Sequence, residues 1–516
     1  MFRFVLVLAL ALDFAVALVF IPECFELCCT ITLLCPIQQI YETHIFALMS
    51  VQTAEKYYPH GFQNSSATLV EDGAAANAIN VKARFSDEEL AVHLDALRAH
   101  NPDFKVLPHE PAHKVISQQM VSHITRINAE TCLPGEENSF FVGDLGEIDN
   151  LHKNWTKQLP RVQPFYAVKC NPNPVILRRL AAMGVNFDCA SKLEIETILD
   201  LGVDPSRIIY ANPCKMSSFI RYASDKRVLK STFDNVEELY KIKKFHQDSE
   251  LFLRITTDDS TAQCRLSTKY GADLTNVREL IAKCKELELN LCGVSFHVGS
   301  GANDFSTLYK ATRDARWVFD LAQDEFDMPA LKVLDVGGGF QLESFKEASH
   351  VLNMALEEFF PVGCNVDVIA EPGRYFVASA FTLATNVIAK RKVNSEESMI
   401  YINDGVYGNM NCILFDHQEP TPRTLFHSGE FHYFDNESTA KDTSKQHPYK
   451  VSIWGPTCDG LDCITKEYHM KHDLVVGDWL FFQDLGAYTS SAATAFNGFD
   501  QTASIIFIDE QGQLIN

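Results

Sequence analysis

The sequence has no excess of positive charge. Its 45 Lys and Arg residues stand against 67 Asp and Glu, a formal net charge of −22 over 516 residues. Nucleic acids and anionic membranes are bound through clustered cations, so neither is expected as a partner. The balance suits a soluble chain that handles a small cation, although for most of these acids the charge simply confers solubility. No pair of C-x-x-C motifs occurs among the fifteen cysteines, so no zinc or other metal site is expected. Scattered and odd in number, these cysteines read as mostly inert thiols in a reducing compartment. Beyond a strand–helix cadence there is no internal repeat.

A well-formed signal peptide is missing too. "FVLVLALALDFAVALVFIPECF" follows one basic residue, Arg3, is interrupted by Asp13 and offers no clear small-residue cleavage site. Two readings stay open. The segment is a membrane anchor or uncleaved signal, or it is upstream sequence absent from the working protein, with Met49 as the real start. The second is favoured, because everything after it reads as cytosolic. A membrane contact is expected only if the apolar segment is real.

Residues 1–105 therefore read as an extension, poorly ordered apart from one helix in "FSDEELAVHLDALRAH". Ser86 and Glu89 form a capping box there, and Leu90, Leu94 and Leu97 share a face. Residues 106–143 read as a strand-rich lead-in packing with a later β domain. From Phe140 on, eight short β-rich runs alternate with helical spacing: "PFYAVKC", "VNFDCAS", "RIIYANP", "KSTFD", "LFLRIT", "LCGVSFHVG", "LKVLDVGGGF" and "VDVIAEPGR". Strands alternating with helices imply a parallel sheet. An open doubly wound sheet usually has fewer strands and a glycine fingerprint after its first. Here the triple glycine follows the seventh. The expected fold class is thus α/β: a (β/α)8 TIM-like barrel over residues 144–380. Past Tyr375, strand patterns recur without helices, predicting an antiparallel β domain over 381–516. A polar stretch between Pro420 and Pro448 reads as a mobile loop within it.

Barrel active sites lie at the carboxyl ends of the strands. Lys169, Asp188, Arg254, His297, Gly337 to Gly339 and Glu371 all fall there. Singly, each is most simply the first solvated residue after a strand. Six of eight strands ending this way is harder to dismiss. Gly337, Gly338 and Gly339 let backbone N–H groups approach a ligand, and loops after strands seven and eight often hold phosphate. Arg374, just past strand eight, adds a cation to such a site. A phosphate cradle, a lysine on the first strand and a central carboxylate point to pyridoxal 5'-phosphate. Lys169 can join its aldehyde, and Glu371 can face the ring nitrogen. His297 can stack on the ring, and the Ser300 hydroxyl can reach the phosphate.

Eight segments in order then resemble one family: "PFYAVKCNPNP", "FDCASKLEIE", "HVGSG", "DVGGGF", "EPGRYFVASAF", "NDGVYGNMNCILFDH", "WGPTCDGLD" and "GAYTSSAATAFNGF". They resemble eukaryotic ornithine decarboxylase, a fold-type-III pyridoxal-phosphate family with an alanine-racemase-like barrel and a β domain. The resemblance runs roughly from Leu107 to Phe507. It implies decarboxylation of L-ornithine to putrescine, with Lys169 as the Schiff-base lysine. It places Asp188, Glu194 and Arg254 near lysine and cofactor, His297 on the ring, and Ser300, Gly337 to Gly339, Arg374 and Tyr488 on the phosphate. Glu371 becomes the partner of the pyridine nitrogen. Cys458 becomes the thiol that returns a proton to the substrate, and Asp416 and Asp459 hold its distal amine near Tyr407. The family's site forms between two subunits, so a homodimer is implied, with Cys458 and Asp459 serving the neighbour's Lys169.

The resemblance also implies antizyme as a possible partner, around "SFIRYASDKRVLKSTFDNVEELYK", where a solvated basic helix face explains the lysines equally well. A catalytically dead antizyme inhibitor and a decarboxylase of lysine or another diamino acid are the rival readings. Phe415 departs from the family's usual tyrosine. Vertebrate members carry a degradation-promoting tail with no counterpart before Asn516, so tail-dependent turnover is not expected.

Overall fold

The structure, a computed structural model, describes residues 81–101, 104, 113–128, 130–433, 448–499 and 504–515. They lie within one compact unit that begins at Ile79. The apolar start and the Met49 question lie outside the described residues. No described helix is long and apolar enough to cross a membrane.

Strand β1 (Phe140–Asp144) precedes the barrel. The barrel strands are β2 (Val162–Ala167), β3 (Asn186–Cys189), β4 (Ile208–Tyr210), β5 (Lys230–Phe233), β6 (Glu250–Arg254), β8 (Asn290–Ser295), β10 (Val333–Asp335) and β11 (Asp367–Ala370). They pair in parallel around a closed ring in the order β10-β11-β2-β3-β4-β5-β6-β8. All eight runs read from the sequence supply one strand each. Several strands hand over to their helix through a side-chain cap. Asn173 accepts from the Val175 N–H, Ser191 from Glu194 and Asn235 from Glu238, satisfying donors that a helix start leaves bare. Pro174 occupies the first turn of its helix, where no N–H is needed.

Phe165, Ile209, Phe252 and Ile369 form a buried cluster separate from the main core. They come from four different barrel strands and are the side chains that fill the barrel interior. A second ribbon, β7 (Ala262–Cys264) against β9 (Ser300–Ala302), is antiparallel and links the loops after β6 and β8. The sequence reading did not foresee it.

The β domain is a ten-stranded sheet. It holds β12 (Phe381–Lys392), β13 (Glu397–Ile402), β14 (Arg423–His427), β15 (Glu430–Phe431), β16 (Tyr449–Trp454), β17 (Cys463–Met470), β18 (Trp479–Phe482), β19 (Ser504–Ile508) and β20 (Leu514–Ile515). Pairing is mostly antiparallel, with two parallel pairs, β1 with β19 and β13 with β16. β1 lies between β12 and β19, so residues from before the barrel complete the sheet that follows it.

Two expectations need correction. Among its described residues the lead-in is not strand-rich: a helix, His113–Ile124, precedes one strand, β1. The polar stretch after Pro420 holds the hairpin β14–β15, with Ser428 and Gly429 at its tip both at positive φ. Such a two-residue turn matches the strand twist. Composition hid the pattern, because only Thr424 and Leu425 of the first strand are buried. Residues 434–447 of that stretch lie outside the described residues. The extension's capped helix (Asp87–His100) forms as read and packs on the main core. Leu90 and Leu94 enter the main core, and Arg98 bonds Glu347 at 2.6 Å. The capping box itself forms as read.

Candidate active site

Lys169 sits in a single helical turn, Val168–Cys170, directly after β2. That turn is clamped from several sides. Tyr488 N–H donates to the Cys170 carbonyl at 2.9 Å, and buried Asn171 donates to the Gly486 carbonyl at 2.9 Å. The Tyr166 hydroxyl donates to the Asn171 carbonyl at 3.1 Å. These bonds tie the end of β2 to the segment after β18, which is how Tyr488 reaches the barrel mouth.

The Lys169 ammonium donates to Asp188 Oδ2 at 2.7 Å; its side chain is 46% exposed while that of Asp188 is wholly buried. Burial pulls the lysine down, but Asp188, Tyr488 and Glu371 outweigh it and push its pKa above the ordinary range. Glu371, past the end of β11, is pushed well above the usual carboxyl range by burial, then by Asp335 and Asp188. His297 accepts the Gly299 N–H on Nδ1 at 3.0 Å. Burial, Arg254 and Lys169 hold its pKa well below normal. The ring is therefore neutral, with its proton on Nε2.

Lys169, Arg254, His297, Ser300, Gly339, Glu371, Arg374, Asp416 and Tyr488 line one cavity of about 430 Å³. Asp188, bonded to Lys169, and Gly337 and Gly338, next to Gly339, are not themselves on its wall. Gly337 and Gly339 adopt positive φ, and a Cβ on Gly338 would meet the Glu371 carbonyl at 2.6 Å and His297 Nε2 at 2.9 Å. Only glycine fits there. Glu194 accepts the Ala190 N–H at 2.6 Å and stands beside the Lys169–Asp188 pair, its carboxyl pushed up by burial. The Arg254 guanidinium lies over the Tyr270 ring, 5.6 Å from its centre.

Arg374 is buried, forms an ion pair with Asp416 and stacks over the Tyr488 ring at 5.5 Å. Cys264 Sγ lies 3.3 Å from the other Asp416 oxygen. Phe415, beside it, is 66% exposed at the cavity rim.

The other candidates gather elsewhere. Tyr407 donates its hydroxyl to Asp459 and stacks on Phe496 at 4.4 Å. Exposed Cys458 donates its N–H to Asn497 at 2.9 Å. Neither Cys458, Asp459 nor Tyr407 lines the Lys169 cavity. Within one chain, then, the candidates form two groups.

The sequence reading passed over Asp335. It ends β10, is wholly buried, and accepts the Gly337 N–H at 2.9 Å. Its carboxyl neighbours that of Glu371, and burial pushes its pKa up to about 7. The signal was in view, an acid directly before the three glycines, but attention went to the glycines. Asp404 was also missed. Buried, it binds Ser139, Gly405 and Asn409 and so shapes the "NDGVYGN" loop that carries Tyr407.

The residues present suit pyridoxal phosphate. They provide a cation on the first strand, a cradle that a Cβ would fill, a buried arginine beside it, and the Glu371 carboxyl on the cavity wall. Residues 145–378 match the family described as pyridoxal-dependent decarboxylase, pyridoxal binding domain. An ornithine decarboxylase of Saccharomyces cerevisiae is 64% identical over 87% of this chain and 97% of its own length. Antizyme inhibitor 2 of Xenopus laevis is 46% identical over 71% of this chain and 80% of its own. A solved lysine/ornithine decarboxylase from Vibrio vulnificus, complexed with putrescine, superposes with a TM-score of 0.64 at 28% identity. That match covers 76% of this chain and 98% of the other.

Proposed function

The chain belongs to the pyridoxal-phosphate-dependent ornithine decarboxylase family, and we propose that it converts L-ornithine to putrescine and CO2, the entry step of polyamine synthesis. The observation that carries the reading is one cavity lined by Lys169, paired to Asp188, together with Glu371 and Gly339 of the glycine run. When bound, pyridoxal phosphate supplies an aldehyde that condenses with amines and a protonated ring that accepts the electron pair CO2 leaves behind. Lys169 would hold the cofactor by its aldehyde carbon. Ser300, Gly337 to Gly339, Arg374 and Tyr488 would hold its phosphate, with Arg374 adding charge to backbone donors. Glu371 would be the partner of the ring nitrogen. His297 would back the ring without adding a competing positive charge. Arg254, Asp188 and Glu194 set the field around Lys169.

Asp416 and Asp459 take the distal ammonium with charge-assisted hydrogen bonds, next to Tyr407. Substrates without a second amine would leave those acids unpaired and be rejected. Cys458 delivers the proton to the α-carbon. Cys458 and Asp459 stand apart from the Lys169 cavity of their own chain. That separation supports a homodimer in which they serve a second copy's cavity. The eleven unpaired cysteines among the described residues support a reducing compartment such as the cytoplasm.

The likeness to an antizyme inhibitor favours one rival, a regulator that binds antizyme without catalysis. Antizyme binding around Ser218 to Lys241 is compatible with either reading. Incubating the purified protein with pyridoxal phosphate and ornithine, or lysine in parallel, separates them. Putrescine and CO2 from ornithine are expected; cadaverine in equal yield would make lysine a co-substrate, and no CO2 from either would leave the regulator.

A further inference from the structure

β10 and β11 are neighbouring parallel strands that bring the end of one beside the end of the other. The Glu371 N–H donates to the Gly337 carbonyl at 2.6 Å, and the Gly337 N–H donates back to Asp335 Oδ1 at 2.9 Å. This short circuit brings the two carboxyls side by side, each acting on the other's charge. Asp335 Oδ2 and Glu371 Oε1 are both fully buried, and neither has a protein donor. Buried acceptors are normally satisfied. A proton held between two neighbouring carboxyls satisfies an oxygen of each. Because Glu371 also lines the cavity, its second oxygen is the one free to turn to a ligand.

We propose that Asp335 is a positioning residue, sharing one proton with Glu371 Oε1 and so fixing the other Glu371 oxygen towards the ring nitrogen of the cofactor. The pair then carries one negative charge, which matches one protonated ring. Lys169, Asp188, Arg254 and His297 are the other titratable or charged groups around the two carboxyls. None of them donates to the orphaned oxygens. Burial raising both carboxyls agrees with a retained proton.

The inference rests on the pyridoxal-phosphate reading, and its test has a readout independent of turnover. In Asp335→Asn the amide can donate to Glu371 while its oxygen still accepts from Gly337. Asp335→Leu can do neither. Cofactor dissociation constants, measured by absorbance titration of the apoprotein, should stay within about threefold of wild type in D335N and rise tenfold or more in D335L. A carboxyl whose pKa is raised on folding stabilises the fold at low pH and loses that contribution as pH climbs through the folded pKa. The wild-type apoprotein's unfolding temperature should therefore fall between pH 5 and about 7.5 more steeply than that of D335N.

D335L binding the cofactor within twofold of wild type would overturn the proposal. So would a D335N apoprotein with the wild-type pH slope, and that measurement decides the matter even if D335L fails to fold. Failure of the cofactor reading would show separately, as wild-type protein that takes up no pyridoxal phosphate.

Discussion

Lys169 Nζ and Asp188 Oδ2 lie 2.7 Å apart across the ends of adjacent barrel strands, the amine reaching into the cavity and the carboxylate sealed from solvent. A buried amine tends to lose its proton. Here Asp188, helped by Tyr488 and Glu371, reverses that tendency. Only the neutral amine attacks an aldehyde. Asp188→Asn should therefore shift the pH at which the apoprotein couples with pyridoxal phosphate downwards by a unit or more, followed by absorbance after mixing. An unchanged profile would show that Asp188 does not govern the lysine's charge.

Lys169→Ala should abolish CO2 release and leave no pyridoxyl adduct after borohydride reduction, read by peptide mass spectrometry, with the circular dichroism spectrum intact. Turnover retained in this variant would remove the central assignment.

Cys458→Ala should keep full cofactor absorbance yet lower putrescine formation by about 10²–10⁴-fold, the usual range for a missing proton donor. Unchanged putrescine yield would refute the role. If the thiol serves the neighbouring copy, co-expressing C458A with K169A should recover about a quarter of wild-type activity, since half the dimers are hybrids with one intact site each. No recovery would argue for sites built within one chain.

Trp155 is buried among Phe340, Phe345, Tyr375 and Phe376, and its indole N–H donates to the Val162 carbonyl at 2.9 Å. Phe340 follows the glycine cradle and lines the cavity. Trp155→Ala should cost about 3–5 kcal/mol of stability in denaturant unfolding, with weaker cofactor binding as the cradle loses its backing. A loss under about 1 kcal/mol would mean the aromatic cluster repacks freely.

Much of the barrel was legible because its signals are local. Each strand is a short apolar run, each helix announces itself by spacing and a capping residue, and a polar residue at a strand's carboxyl end lands at the mouth. Lys169, Arg254, His297 and Glu371 could be placed on the cavity from that rule alone. The hairpin β14–β15 escaped because its apolar residues are few and its turn, Ser428–Gly429, was read only as polar composition.

By itself, then, the sequence determined the alternation of elements, the closed ring they imply and the residue types presented at its mouth, since periodicity and strand termini depend only on near neighbours along the chain. The tertiary structure alone decided which charges meet. Asp335 against Glu371, Arg374 against Asp416, and Tyr407 against Asp459 rather than beside Lys169 are pairings between segments distant in the chain or set by strand adjacency. Electrostatic energy depends on distance and burial, and neither can be read from residue order.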